Sequence, residues 1–391
     1  MISEKIKRKD NLVILAVLSY YLVLMTQFLF LNIFNSSNYT QYIQLFFKML
    51  VFVFYILPLR YVLNKKIKTI FIWFMCFSIA YLASMLFFPN NTKTLLSNAI
   101  NFFLMIFPNF IYSLCISDIS NMMVITEKTS KYVFFIGICI GILTFTNIIN
   151  IGLYSQSFSY YMLLPTLFFL ERFLSFYDLK NFLGVMISLI LILAFGSRGA
   201  IFSVLAFFIL YQIINVSVKS RKKLFFNIFL FLLLFVLIIF IKDIMVLFQK
   251  ILVAKGLYSR NLDLFLQEDI FLSGRETIYS TVINCIVKNP FLGIGLTGDR
   301  YVTGGFYSHN FFLEIFSSFG VIMGCLIIFL IFCLLIHNLR MRNMKVNNFL
   351  LMWFCLGFVP LMISGSFLTH YEFWTFLGLN INILTNKKNI L

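Results

Sequence analysis

Residues 309–337, HNFFLEIFSSFGVIMGCLIIFLIFCLLIH, carry one acidic side chain in a long, mostly apolar run. The run exceeds the roughly 20 helical residues that cross a hydrocarbon core about 30 Å thick. Backbone amides in lipid must find partners inside the segment, and this requirement makes such a run helical. The stretch therefore predicts a transmembrane helix.

The rest of the chain has the same character, since 61% of its 391 residues are hydrophobic and only 12% are charged. That composition lies outside the range of soluble globular proteins. The sequence predicts an all-α polytopic membrane protein with about twelve transmembrane helices in a single domain, 1–391. The other predicted spans are 11–34, 40–63, 67–88, 97–117, 131–151, 157–176, 180–196, 199–218, 223–241, 347–365 and 370–386.

Basic residues collect in alternate connections between these spans. Lys and Arg are enriched in cytoplasmic loops, and here the short connections on the other side carry only Lys93 and Arg198. The pattern predicts that both termini are cytoplasmic and that 242–308 is one long extracytoplasmic loop, where nucleotide sugars and ATP are not available. The net charge of +17 is spread between spans rather than gathered in a basic domain, so no nucleic-acid partner is expected.

The cysteines and the N-terminal run indicate neither a disulfide nor a cleaved signal peptide. Only Cys285 falls in the long loop, and the other cysteines lie in apolar spans, so no extracytoplasmic disulfide is expected. The first apolar run is too long for a signal-peptide core and is expected to be a retained helix. No cysteine–histidine cluster or acidic pair indicates a bound metal, and no cofactor is expected.

The long loop contains two predicted helices. Asp243–Lys255 has apolar residues at helical spacing and is expected along the membrane surface. Ser273-Gly274-Arg275-Glu276 fits a capping box, which predicts a helix that ends at Asn289-Pro290. A flexible glycine-rich loop should follow, and Ser308 is a candidate cap for the next span.

His309 is the candidate catalytic residue. It lies at the predicted extracytoplasmic mouth of a span, followed by Asn310 and Glu314 as possible substrate contacts. A neutral imidazole can accept a proton from a sugar hydroxyl near pH 7. The alternative is an interfacial histidine that only anchors the helix.

Four arginines are candidates for binding an anionic substrate group. Arg275 lies in the first turn of a predicted helix, where free backbone N–H groups favour an anion. Arg198, in the reversal Gly196–Gly199, needs a partner at a depth where an unpaired guanidinium is costly; a diphosphate fits the guanidinium fork. The alternative for both is a lipid headgroup. Arg300 and Arg260 are expected to be mainly solvated, with substrate contact as the alternative.

Weaker candidates complete the set. Lys48 is predicted eight residues into the second span, where it either snorkels or lines a cavity. Tyrosines near the predicted outer face can stack on sugars or belong to an interfacial belt: Tyr154, Tyr160, Tyr301 and Tyr307. Gly293-x-Gly295-x-x-Gly298 matches a dinucleotide fingerprint formally, but it lacks the preceding strand, and we reject that interpretation.

Several motifs occur in an order that resembles the O-antigen polymerase and O-antigen ligase superfamily. They are Gly196-Ser197-Arg198-Gly199, Ser273-Gly274-Arg275, Asn289-Pro290-Phe291-Leu292-Gly293-Ile294-Gly295 and His309-Asn310-Phe311-Phe312-Leu313. The span layout and the long outer loop are similar as well. The resemblance covers mainly residues 190–325, whereas the first half agrees in topology only.

This resemblance implies a glycosyltransferase of the bacterial cytoplasmic (inner) membrane. Its donor and acceptor are undecaprenyl-diphosphate-linked glycans, without metal or nucleotide, and a chain-length regulator is a further candidate partner. The family's essential histidine corresponds to His309, its loop arginine to Arg275 and the arginine before its eighth span to Arg198. The two arginines would bind the diphosphate.

Three functions remain open from the sequence. The leading one is a polymerase that joins repeat units into an O-antigen or capsular polysaccharide, favoured by the small chain and modest outer loop. An O-antigen ligase, which transfers the glycan to lipid A-core, uses the same chemistry. A lipid-linked oligosaccharide flippase is the alternative of another class, but it would show pseudo-symmetric halves with charges near the midplane.

Overall fold

The computed structural model describes residues 4–34, 37–149, 155–195, 198–215, 241–254, 275–340 and 343–385. Every regular element in these ranges is helical. Six of the described helices are long and apolar enough to cross a membrane, and shorter apolar helices occupy Leu179–Phe195 and Gly199–Ile214. The prediction of an all-α polytopic membrane protein is confirmed.

The helices are numbered in chain order over the described residues. They are α1 Glu4–Ile33, α2 Ser37–Phe87, α3 Thr92–Asn101, α4 Phe107–Cys115, α5 Ile119–Phe145, α6 Gln156–Phe176, α7 Leu179–Phe195, α8 Arg198–Ile214, α9 Ile241–Ala254, α10 Arg275–Lys288, α11 Gly298–Val302, α12 Phe311–Leu339, α13 Met344–Gly357 and α14 Tyr371–Thr385. A π-helical turn, Phe102–Ile106, joins α3 to α4.

Hydropathy placed α6, α7 and α12 to within two residues. It separated 40–63 from 67–88, and α2 likewise consists of two helices that meet at Lys66, where the helical geometry breaks (φ −141°, ψ 36°). The predicted boundary and the observed break both fall among the basic residues Lys65, Lys66 and Lys68. The predicted span 223–241 lies outside the described residues.

The predicted start of α5 was wrong by twelve residues. The helix begins at Ile119 rather than at 131, because it continues through polar residues that hydropathy excludes from a span. Glu127 and Lys131 form an ion pair one turn apart, with 2.6 Å between Oε1 and Nζ. Such pairs stabilise a helix outside the apolar region.

One compact unit comprises Met1–Ser19, Leu50–Ile125 and Leu272–Leu391. At its centre α4 packs on α14, where a Cβ built on Gly378 would lie 2.8 Å from the carbonyl oxygen of Phe110. Asn382 Nδ2 also donates to the carbonyls of Ser113 (3.1 Å) and Ile116 (2.8 Å). Small residues and amide hydrogen bonds of this kind hold helices together in lipid.

The second compact unit comprises Tyr20–Met49 and Thr126–Phe271. Its α6 and α7 pack closely because Gly184 faces the ring of Phe169, only 2.8 Å from where a Cβ would stand. The predicted surface helix at Asp243–Lys255 is present as α9, and its placement along the membrane surface stays a prediction.

In the first unit, α10 and the turn after it pack against a break in α12. The predicted helix is confirmed, since α10 begins at Arg275 and ends before Asn289-Pro290. Gly320 interrupts α12 with φ 76° and ψ 170°. The backbone groups freed there bond to the turn: Val321 N donates to Pro290 O (2.7 Å), and Ile294 N donates to Ser317 O (2.6 Å).

Candidate active site

His309 lies immediately outside α12 in a left-handed backbone conformation, with φ 50°. Residues other than glycine seldom adopt this conformation, and it is often found at functional sites. The helix cap is Asn310, whose Oδ1 accepts hydrogen bonds from Phe312 N (3.0 Å) and Leu313 N (3.2 Å). The predicted cap Ser308 was wrong, because its hydroxyl donates to the buried Asp299 instead.

The imidazole of His309 is half-buried beside Tyr307, with 4.0 Å between the ring centroids. Tyr307 in turn donates its hydroxyl to Ser364 O at 2.8 Å. Burial lowers the pKa of His309 to about 4, with a further contribution from Arg275 that outweighs the opposing effect of Asp299. The ring is therefore neutral at pH 7, and its buried Nδ1 has no hydrogen-bond partner among the described residues.

Arg275 is the first residue of α10 and points toward the same segment as His309. Its Nη1 donates to Ile363 O at 2.5 Å. The next residue, Ser364, forms a backbone hydrogen bond with His309 that raises the pKa of the imidazole. Ser273 and Gly274, the first two residues of the predicted capping box, lie outside the described residues. The structure thus brings Arg275 and His309 together across residues 363–364.

Near His309 is a buried ion cluster of Asp299, Arg300 and Glu314. Arg300 Nη1 lies 3.1 Å from Asp299 Oδ1, and its Nη2 lies 3.2 Å from Glu314 Oε1. The expectation that Arg300 is mainly solvated was wrong, since only 6% of the residue is exposed. Two carboxylates compensate the lost hydration: burial alone lowers the pKa of Arg300, but Glu314 and Asp299 raise it overall.

The same cluster fixes the segment that follows α13. Arg300 Nη2 donates to Ser366 Oγ at 2.6 Å, Ser366 Oγ donates to Glu314, and Glu314 Oε2 accepts from Phe367 N at 3.0 Å. Residues 363–367 therefore connect to both Arg275 and the ion cluster. Sequence reasoning missed this segment, and its only signal was the short polar run Ser364-Gly365-Ser366 between two apolar spans.

The glycine-rich loop before α11 is anchored rather than free. Asn91 Nδ2 donates to Ile294 O (2.7 Å) and to Leu296 O (3.3 Å), while Leu296 N donates to Ser84 Oγ (2.9 Å). Gly295, with φ 80°, lies so close to the ring of Phe88 that a Cβ would approach it within 2.4 Å. The glycines of the formal dinucleotide pattern thus serve close packing.

Residues 183–328 match the family model described as O-Antigen ligase. This stretch of the chain is similar to the O-antigen ligase family. This finding confirms the resemblance to the O-antigen polymerase and ligase superfamily that the motifs indicated. Searches of curated proteins and of solved structures found no match.

The matched stretch contains Arg275, the ion cluster and His309, whereas 363–367 lies beyond its end. It also contains Arg198, which begins α8 in the second compact unit. The side chain of Arg198 is outside the described part of the chain, as is all of Arg260. Lys48 is exposed on α2, also in the second unit. Their roles in substrate binding stay predictions.

Proposed function

We propose that this membrane protein is a glycosyltransferase that uses His309 and Arg275 to join lipid-diphosphate-linked glycans. The observation that carries the proposal is that both side chains interact with residues 363–364. Arg275 and His309 themselves lie in the stretch that matches the O-antigen ligase family model. The positive-inside pattern supports an extracytoplasmic site in the bacterial cytoplasmic membrane.

Arg275 is suited to the diphosphate leaving group. No carboxylate of the described residues forms an ion pair with it, and its Nη1 donates a hydrogen bond to the carbonyl of Ile363. The N-terminus of α10 adds backbone N–H groups that favour an anion. Charge that grows on the leaving diphosphate is thereby neutralised in the transition state, and Arg198 is a second candidate for this role.

His309 is suited to activate the acceptor hydroxyl. As that oxygen attacks the anomeric carbon, the bond from this carbon to the diphosphate oxygen breaks, and the hydroxyl proton moves to the neutral imidazole. Attack opposite the leaving group inverts the anomeric configuration. An anionic donor would also offset the effect of Arg275 on the pKa of His309 and make the imidazole a stronger base.

The other residues predicted to contact substrate fall into two groups, half-buried and buried. Tyr307 and Asn310 are half-buried beside His309 and remain candidate substrate contacts. Arg300 and Glu314 are buried and paired with each other, which favours a role in positioning 363–367 over direct contact with a glycan. No metal or nucleotide is invoked in this mechanism.

The chemical identity of the acceptor distinguishes a polymerase from a ligase. We favour a polymerase, with a second lipid-linked glycan as acceptor, because the predicted outer loop 242–308 is modest. The matched family description favours a ligase as second candidate. A flippase is less well supported, since the candidate polar residues gather in one outer loop rather than near the midplane.

The test is the surface-glycan profile of a strain that lacks this gene, complemented with wild type, His309→Ala or His337→Ala. His337 is exposed near the other end of α12 and serves as the matched control. We expect wild type and His337→Ala to restore a ladder of long chains, and His309→Ala to leave single repeat units. Normal ladders from His309→Ala would overturn the proposed base.

The phenotype of the deletion separates the functions. Loss of the ladder with single units still attached indicates a polymerase. Loss of all attachment, with accumulated lipid-linked polymer, indicates a ligase. Repeat units that remain on the cytoplasmic side indicate a flippase and contradict the proposal.

A further inference from the structure

The end of α10 and the turn after it carry an exposed apolar patch, formed by Val287, Phe291 and Leu292. These side chains are 71%, 72% and 76% exposed. The backbone beneath them is held against α12, since a Cβ built on the buried Gly293 would lie 2.4 Å from Ser317 O. The turn is therefore fixed on the protein with its apolar side chains pointing away from it. A contiguous exposed apolar patch marks a surface that contacts a partner.

The attachment to α12 fixes the depth of the patch. A Cβ on Gly320 would lie 2.1 Å from Phe291 O, so the two residues are at the same level. The other end of the helix is marked by Arg340, which is exposed at a polar boundary. From Gly320 to Ile336, one turn before Arg340, the helix rises about 24 Å at 1.5 Å per residue. That rise is less than the roughly 30 Å thickness of the hydrocarbon core.

The attachment to α2 gives the same depth independently. Leu296 N donates to Ser84 Oγ at 2.9 Å, and the exposed Lys68 marks the basic end of this part of α2. From Lys68 to Ser84 the helix again rises about 24 Å. A tilt of either helix only moves the attached segment deeper. Both helices thus place 291–296 inside the hydrocarbon core, although the sequence pattern assigns all of 242–308 to an extracytoplasmic loop.

The surroundings of the patch are those of a lipid-facing surface. Ile322 on α12 and Leu86 and Phe87 on α2 are exposed at neighbouring levels, and both helices belong to candidate membrane spans. The patch continues this apolar surface. Lys288, beside Val287, is exposed and long enough to extend its ammonium group to the lipid phosphates.

We propose that residues 287–292 insert into the bilayer leaflet nearest the candidate site, so that α10 and its turn form a re-entrant element. The partner of the patch is lipid hydrocarbon, which removes the three apolar side chains from water. Non-helical backbone at this depth is tolerated when its polar groups are satisfied within the protein, as they are where Ile294 N donates to Ser317 O at 2.6 Å. Because α10 begins at Arg275, its inserted end also sets the depth of that arginine in the membrane.

Photocrosslinking to lipid provides the test. The photoreactive residue p-benzoylphenylalanine replaces Phe291 or, as control, Phe306, which is also exposed but precedes the start of α12 at Phe311. The full-length chain is irradiated in vesicles of phosphatidylethanolamine and phosphatidylglycerol, and lipid adducts are counted by mass spectrometry. We expect about tenfold more lipid adducts at position 291 than at 306, because only position 291 lies within the hydrocarbon core.

Two results would overturn the proposal. One is an equal yield of lipid adducts at the two positions. The other is crosslinking of position 291 to protein in place of lipid, which would show that another part of this chain or a second copy covers the patch. Because crosslinking needs no turnover, its outcome does not depend on whether the chain transfers glycans.

Hydrogen exchange in the same vesicles gives a second measurement. Leu292 is mostly exposed, so Leu292→Asp would change little if the turn faced water. In lipid a carboxylate is costly, and the turn would shift toward the headgroups and weaken its bond to Ser317. We expect exchange at the Ile294 amide to be about tenfold faster in Leu292→Asp and within about twofold of wild type in Phe306→Asp. Equal exchange in both variants would contradict insertion.

Discussion

Gly320→Ala tests how the turn after α10 is attached to α12. A Cβ at this position would lie 2.1 Å from the carbonyl oxygen of Phe291 and 2.9 Å from that of Pro290. Both atoms belong to the backbone of the turn after α10, so no side-chain rotation relieves the clash. The backbone conformation, φ 76° and ψ 170°, is itself essentially restricted to glycine.

The magnitude follows from these two terms. Backbone strain costs about 1–3 kcal/mol, and overpacking costs about 1–3 kcal/mol. Movement of the turn would instead sacrifice the hydrogen bonds from Val321 to Pro290 and from Ile294 to Ser317, each worth about 1 kcal/mol. We expect a loss of about 2–6 kcal/mol in the free energy of unfolding and a drop of about 2–7 °C in Tm, from an unfolding entropy of about 2.1 cal/mol/K per residue.

Gly304→Ala is the matched control. Gly304 also has a positive φ, 71°, but nothing lies within 4 Å of its would-be Cβ, so only about 1–2 kcal/mol of strain is expected. Thermal unfolding of the detergent-solubilised chain gives the comparison, and hydrogen exchange at the amides of Ile294 and Val321 reports on the turn directly. Equal Tm values for the two variants, with unchanged exchange, would refute the reasoning.

Three further predictions concern the candidate site. Arg300→Met should cost about 3–5 kcal/mol because it leaves two buried carboxylates without their cation; adding Glu314→Gln should recover part of this loss in thermal unfolding, and no recovery would contradict the pairing. Asn310→Ala should cost about 1 kcal/mol through loss of the helix cap, whereas Asn310→Asp, which keeps the acceptor, should not. The pKa of His309 falls from 6.5 in the unfolded chain to about 4 in the fold, so folding favours the neutral ring, and its contribution to stability is complete above pH 6.5 and lost as the pH falls toward 4. His309→Gln should flatten this part of the pH dependence of Tm, and an unchanged slope would argue against the lowered pKa.

Much of the fold was predictable because hydropathy and capping signals are local. The ends of α6 and α7, and the start of α10 at Arg275, follow from residues within one helical turn of each boundary. The extension of α5 to Ile119 was not predictable in this way, since hydropathy reports partition into lipid and not helix formation outside it.

The candidate site was predictable only in part for a related reason. Arg275 and His309 were singled out from one stretch of sequence, and the structure does bring them to the same segment. The burial of Arg300 depends on Glu314, 14 positions away, and on Ser366, 66 positions away. Neither separation has a local signature, so an arginine in a glycine-rich loop was expected to be solvated.

The long-range anchoring of the loop 289–308 has a consequence for biogenesis. The loop bonds to Asn91, 203 positions upstream of Ile294, and to Ser366, 66 positions downstream of Arg300. During synthesis the early helices can enter the membrane long before Ser366 leaves the ribosome, so the geometry of the candidate site is completed only after most of the chain is inserted. A nascent chain therefore passes through a membrane-inserted stage in which Arg300 and Glu314 lack their hydrogen bonds to Ser366 and Phe367.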